Sequence, residues 1–219
     1  MLMVKGSVLQ ILWLDVVDST QKYLKEVISK KELDTPVAVV AELQTDGIGS
    51  RDNRWESQKG NLFLSFAIDK KELPSDLPIS SASIYFSYIL KETLAQMGSA
   101  VWIKWPNDFY LHEKKVGGMI TTLCGDVLIC GVGLNIVASP KSFSRLDIIP
   151  DKKELLERYF TNLEKKVLWK QVFSKYKLEF YKNQSFFTHI NNQRVSLRDA
   201  ILCEDGSLEI NGERIYSLR

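Results

Sequence analysis

Short apolar runs separated by turn residues recur along the chain, and they limit its fold more than any other feature. Residues 7–14, 37–43, 61–68, 100–105, 115–123 and 127–136 are each rich in Val, Ile, Leu or aromatic residues. Runs of that length, flanked by Gly, Pro or Asp, read as strands of a buried or half-buried sheet. Between them lie helical patterns. Over 79–97 the apolar residues Ile79, Ala82, Phe86, Ile89, Leu90, Leu94 and Met97 fall on one helical face. Ser19 or Thr20 caps a helix through Leu24, Val27 and Ile28, and Asp151 with Glu154 forms a capping box. The helical pattern from Leu155 to Phe180 breaks near 165–168. The final segment changes character: 195–197, 200–203, 207–210 and 214–217 read as short strands, with hairpin turns at Asp205-Gly206 and Asn211-Gly212. The expectation is an α+β fold, a mixed sheet packed against helices over 1–186, followed by a small β-barrel-like unit over 187–219.

Composition removes several function classes. The 219 residues carry a formal net charge of +2, too nearly balanced for a nucleic-acid or membrane surface. His112 and His189 are the only histidines, which disfavours a histidine metal cage. Cys124, Cys130 and Cys203 form no C-x-x-C pair and read as reduced thiols. The first residues lack a signal-peptide pattern and no apolar run is long enough to span a bilayer, so a cytoplasmic protein is expected.

Three segments carry chemistry. Lys104–Met119 (KWPNDFYLHEKKVGGM) starts at a strand end. Pro106 ends the ladder, Asn107 and Asp108 offer polar groups at the turn, and Glu113-Lys114-Lys115 is expected at a hairpin tip. Gly117 and Gly118 then allow close approach of a ligand or a second backbone. The alternative is a solvated hairpin with surface lysines. The second segment, 41–55 (AELQTDGIGSRDNRW), places Gly47 and Gly49 in a polar stretch with Arg51 and Arg54. That is a phosphate-binding composition, although neither a Walker loop nor a dinucleotide fingerprint, and a plain surface loop is the competing reading. The third, 15–21 (DVVDSTQ), puts Ser19 and Thr20 at a helix N-terminus, where they either cap the helix or bind a polar ligand.

In this order the segments resemble the biotin protein ligases. The likeness rests on Asp18-Ser19-Thr20, on Gln44 before a glycine-rich loop ending at Trp55, and on Asn61-Leu62. It also rests on Lys104-Trp105-Pro106-Asn107-Asp108, on Lys115 and Gly118, and on Gly131-Val132-Gly133-Leu134-Asn135-Ile136. It is dense over the first two-thirds of the chain and loose beyond. The resemblance implies ATP-dependent activation of biotin to biotinyl-5'-AMP, then transfer to a lysine of a biotin carboxyl carrier protein. It implies ATP and Mg²⁺ as cofactors, with the Mg²⁺ near Asp108 and Asn135. Lys115 becomes the main catalytic residue, with Arg51 beside it. Biotin falls to Ser19, Thr20, Gln21, Gln44, Gly47, Ile48, Gly49, Ser50, Trp55, Lys115, Gly117 and Gly118. The nucleotide falls to Arg51, Arg54, Trp55, Lys104, Asn107, Asp108 and Asn135.

The sequence also departs from the family. Ile48, Ser50 and Asn53 stand where the family loop carries arginines, and Arg51 is expected to substitute for the one replaced by Ser50. The pattern begins almost at the first residue, so a monofunctional ligase without a DNA-binding domain is expected; a homodimer is compatible with the family. Two other readings remain open: a lipoate or octanoate ligase or transferase of the same fold, and a non-catalytic biotin- or nucleotide-binding module.

Overall fold

A computed structural model describes residues 2–4, 7–50, 53–190 and 193–216. In chain order its strands are β1 (Leu2–Val4), β2 (Ser7–Val17), β3 (Val37–Gln44), β4 (Gly47–Ile48), β5 (Arg54–Trp55), β6 (Leu62–Asp69), β7 (Trp102–Lys104), β8 (Asp108–Leu111), β9 (Lys114–Cys124), β10 (Val127–Leu134), β11 (Phe187–Ile190), β12 (Gln193–Ser196), β13 (Ile201–Leu202), β14 (Leu208–Ile210) and β15 (Glu213–Ile215). The helices are α1 (Thr20–Ser29), α2 (Ala82–Gln96), α3 (Lys152–Glu164) and α4 (Trp169–Glu179). Eight strands form one mixed sheet in the order β1-β2-β3-β6-β10-β9-β8-β7. Only β2 and β3 pair in parallel within it, and α1 makes the crossover such a pair needs.

Alternation along the strands assigns each face its neighbours. On one side Ala38 and Val40, Leu62, Leu64 and Phe66, and Leu128, Cys130 and Leu134 join the main core with α2, α3 and α4. On the other, Val37, Val39, Ala67 and Ile129 meet Leu24 and Val27 of α1. The helix ends follow the expected caps: Asp151 Oδ1 accepts from the Glu154 amide at 2.9 Å, and the Ser19 hydroxyl accepts from the Lys22 amide at 3.5 Å. The expected break between the last two helices falls at 165–168. Within the described residues, no helix is long and apolar enough to cross a membrane.

The C-terminal strands form a two-stranded and a three-stranded sheet, and no closed barrel is seen among the described residues. Asn211 and Gly212 both have positive φ, as a type I′ hairpin turn requires. Ser217, expected to end the last strand, lies outside the described residues. These strands pack against the rest of the chain. Leu197, Leu202, Leu208 and Ile210 belong to the main core. The indoles of Trp105 and Trp169 donate to the carbonyls of Gly206 and Glu204 at 2.9 and 2.8 Å, and the Ser81 hydroxyl donates to the Asp205 carbonyl.

Candidate active site

The helix α1 starts directly off β2, so three consecutive buried residues, Ser19, Thr20 and Gln21, stand over the sheet at its N-terminus. Glycines make the floor beneath them. A Cβ on Gly131 would lie 2.6 Å from Gln21 Oε1, and one on Gly133 would lie 2.5 Å from the Trp55 ring. Any side chain at either position would occupy space that the site uses. The result is a narrow cleft lined by Ser19, Thr20, Gln21, Gln44, Ile48, Gly49, Ser50, Trp55, Ser65, Asp108, Lys115, Gly118 and the β10 glycines, among others.

A β-bulge aims the charged pair. Phe109 pairs with Gly117, but Tyr110 pairs with Lys115, so β9 carries Val116 as an extra residue. The shift turns Lys115 to the same side as Gly118, where a Cβ would lie 3.4 Å from Lys115 Nζ. Lys115 Nζ contacts Asp108 Oδ1 at 2.6 Å, and Lys104 Nζ is 4.0 Å from the other carboxylate oxygen. Both expected lysines of the tip, Lys114 and Lys115, thus sit in strand β9, and the turn is His112-Glu113, with His112 at positive φ.

Lys115 and Asp108 also border a second, wider cleft. Its walls include Lys104, Asn107 and Tyr110 and, from the C-terminal strands, Phe187, His189 and Arg194. Lys104 Nζ lies 5.6 Å from the Tyr110 ring centroid and the Arg194 guanidinium 3.7 Å from that of Phe187. Burial, and then the Asp108 carboxylate, push the Tyr110 hydroxyl well above its ordinary pKa, so it stays a donor. The Asn107 amide donates to the Met119 carbonyl at 2.5 Å, one step past the end of the β8–β9 ladder.

The loop over the first cleft is a small hairpin. Gly47 and Ile48 pair with Trp55 and Arg54, and the Gly49 amide donates to Asn53 O at 2.7 Å. Its base is tied down from outside, because Asp46 pairs with Lys22 of α1 at 2.5 Å and with Arg54 at 2.8 Å. The hydrogen bonds from Lys22 and then Arg54 hold the Asp46 carboxyl below the usual carboxylate range. The Trp55 ring packs edge-on to Phe143 at 6.3 Å, and its buried indole N–H has no partner among the described residues.

Four expected site residues do not reach either cleft. Arg54 is spent on Asp46 with its side chain 82% exposed. Gly47 sits at the hairpin base, where a Cβ would meet Trp55 O at 2.7 Å. Gly117 faces Leu134, 2.5 Å from where its Cβ would be, and serves strand packing. Asn135 is 1% exposed: its amide donates to Ser144 O at 3.1 Å and its carbonyl oxygen accepts from Asn61 at 3.4 Å. Arg51 lies outside the described residues. Ser65, Gly131, Gly133, Tyr110, His189 and Arg194 join the clefts unanticipated. Ser65 had one sequence signal, a lone hydroxyl inside the apolar run LFLSFAI.

A metal would find little protein to bind. No group of three or more metal-ligating side chains occurs among the described residues, and Asn135 is committed elsewhere. Among the described residues, Asp108 is the sole acidic side chain on either cleft. That donor set fits a Mg²⁺ ion shared with phosphate oxygens, not one caged by protein.

Known proteins resemble this chain over the same elements. Residues 13–135 match the biotin/lipoate A/B protein ligase family. A solved structure of biotin acetyl coenzyme A carboxylase synthetase from Helicobacter pylori, with bound biotinylated ATP, superposes with a TM-score of 0.91 at 38% identity, covering 94% of this chain and 99% of that one. The biotin protein ligase from Aquifex aeolicus, in complex with biotin and ATP, gives a TM-score of 0.75 at 26% identity, covering 96% of each chain. The bifunctional ligase/repressor BirA of Escherichia coli is 34% identical over 130 residues, which span 56% of this chain but only 39% of that protein.

Proposed function

Since the chain belongs to the biotin/lipoate A/B protein ligase family, we propose that it activates biotin with ATP and transfers it to a lysine of a biotin carboxyl carrier protein. The observation that carries this reading is the position of Lys115, the cation common to both clefts among the described residues. The narrow cleft suits a compact neutral ring read by Thr20, Gln21 and Gln44. The wide one, with Lys104, Arg194 and His189 on its walls, suits the phosphates. In the first step the biotin carboxylate oxygen bonds to the α-phosphorus and pyrophosphate leaves. Two anions must meet, and the Lys115 ammonium, steadied by Asp108 at 2.6 Å, lowers that repulsion. In the second step the carrier amine attacks the acyl carbon and AMP leaves, with Lys115 holding the departing phosphate. Asp108 would hold Mg²⁺ together with the nucleotide, and the ion would neutralise phosphate charge. A cytoplasmic location accords with three free cysteines.

The buried donors and acceptors around Thr20 favour biotin over lipoate or octanoate, whose ring or chain offers no N–H. The test is transfer: incubate the protein with ATP, Mg²⁺ and a biotin carboxyl carrier domain, and weigh the carrier by mass spectrometry. The expected result is addition of one biotinyl group to one lysine. Addition of lipoyl or octanoyl instead, under competition, would overturn the substrate assignment.

A further inference from the structure

The bulge that turns Lys115 into the clefts also makes Tyr110 its cross-strand neighbour, so the two side chains rise on the same face of the sheet. Tyr110 lines the wide cleft and not the narrow one. Its ring packs against Trp102 and Phe186, with centroids 5.5 and 5.3 Å away, and the Trp102 indole N–H donates to the His112 carbonyl at 3.1 Å. A ring packed in this way loses little freedom when its hydroxyl is used. Among the described residues, no protein group hydrogen-bonds that hydroxyl. It is a fixed polar group beside Lys115 with no task in holding the fold.

The transfer step has a use for it. The narrow cleft lies beneath Ser19, Thr20, Gln21 and the β4–β5 hairpin, so a lysine side chain arriving from solvent reaches Lys115 through the wide one. Pyrophosphate leaves by the same opening. Its cations, among them Lys104, Lys115 and Arg194, suit the departing anion and disfavour an incoming ammonium. The amine that reaches the acyl carbon is therefore neutral. It points its lone pair at that carbon and needs an acceptor for an N–H. Asp108 is engaged by Lys115 at 2.6 Å, and a carboxylate acceptor would draw the amine back to its protonated form. A phenol oxygen accepts the N–H without that penalty, and burial together with the Asp108 charge keeps this phenol protonated.

We propose that Tyr110 is a further catalytic residue, used in the transfer step alone: its hydroxyl oxygen accepts a hydrogen bond from the neutral amine of the carrier lysine and aims the nitrogen at the acyl carbon. The proposal rests on the ligase reading above and deepens it. The nitrogen–carbon bond forms and the bond from that carbon to the phosphate oxygen breaks. AMP leaves with both electrons of the broken bond, and one amine proton passes to water. Tyr110 keeps its own proton throughout.

The experiment separates the two half-reactions in Tyr110→Phe, which keeps the ring in its packing and removes only the hydroxyl. Activation is read as biotin-dependent pyrophosphate exchange without carrier. Transfer is read as single-turnover biotinylation of a biotin carboxyl carrier domain, from adenylate formed beforehand on the protein. The variant should lose about tenfold or more in maximal transfer rate beyond any change in exchange, as one hydrogen bond to a reacting group would give. The carrier concentration at half-maximal rate should stay within about threefold. Transfer plotted against pH should keep the parent's shape and fall uniformly, because Tyr110 does not titrate in the step. Exchange in the same sample reports that the variant is folded. Transfer as fast as the parent's would overturn the proposal. So would a parallel fall in both half-reactions, which would give the hydroxyl to the nucleotide or to the fold. Loss of one limb of the pH profile would overturn it too, by making the phenol an acid or base. Absence of exchange in the parent protein would remove the ligase reading and the proposal with it.

Discussion

The two faces of the central sheet are made by the same strands, yet they do different work. In β10, Leu128, Cys130 and Leu134 point into the main core, while Gly131 and Gly133 point at Gln21 and Trp55. In β6, Leu62, Leu64 and Phe66 are core and Ser65 between them belongs to the cleft. One face is filled by side chains to hold the fold, and the other is emptied of them so that a ligand can lie close to the backbone. Period-two geometry lets one strand do both without compromise, since neighbours along an unbulged strand face opposite sides. Substitutions on the core face should therefore change stability, and those on the cleft face should change ligand binding.

Leu64→Ala should show the largest effect and separate the two roles most clearly. It empties a fully buried core position, so it should cost about 2–5 kcal/mol in denaturant unfolding. The biotin KM of the folded fraction should stay unchanged, and a large KM shift would blur the distinction. Gly133→Ala should behave in the opposite way. Its Cβ would press on Trp55, which lies outside the main core, so melting should hardly change while KM rises about tenfold. A variant that melts early with normal KM would place Gly133 with the core. The smallest effect concerns the outer tie of that hairpin. The Asp46 carboxyl titrates below its ordinary value because Lys22 and Arg54 bond it. Its contribution is therefore full above the ordinary carboxylate pKa and is lost as pH falls through the depressed one. Asp46→Asn should change KM by less than about fivefold at pH 7, as exposed ion pairs do. It should also remove an acid-side step in Trp55 fluorescence, and persistence of the same step would assign that step to another group.

Much of this was readable from residue order. Strand and helix positions followed from apolar spacing, and the Lys104–Asp108 turn with Lys115 announced the charged centre. What escaped depends on partners far apart in sequence. The bulge at Val116 changes which way Lys115 points and leaves no compositional trace. The ion pair of Arg54 with Asp46 and the packing of Leu134 behind Gly117 are contacts that no local pattern announces. Asn135 sits in the expected motif, but its hydrogen bonds hold the loop to Ser144. His189 and Arg194 come to the wide cleft because the C-terminal strands fold back onto the main core, and no local pattern encodes that return.

The measurement that bears most directly on this account is biotin-dependent exchange of labelled pyrophosphate into ATP, with Mg²⁺ and no carrier, run beside Lys115→Ala. The account predicts exchange with biotin, none with lipoate or octanoate, and a loss of about a hundredfold or more in the variant. Folded protein that exchanges with none of these acids, or a Lys115→Ala variant as active as the parent, would contradict it.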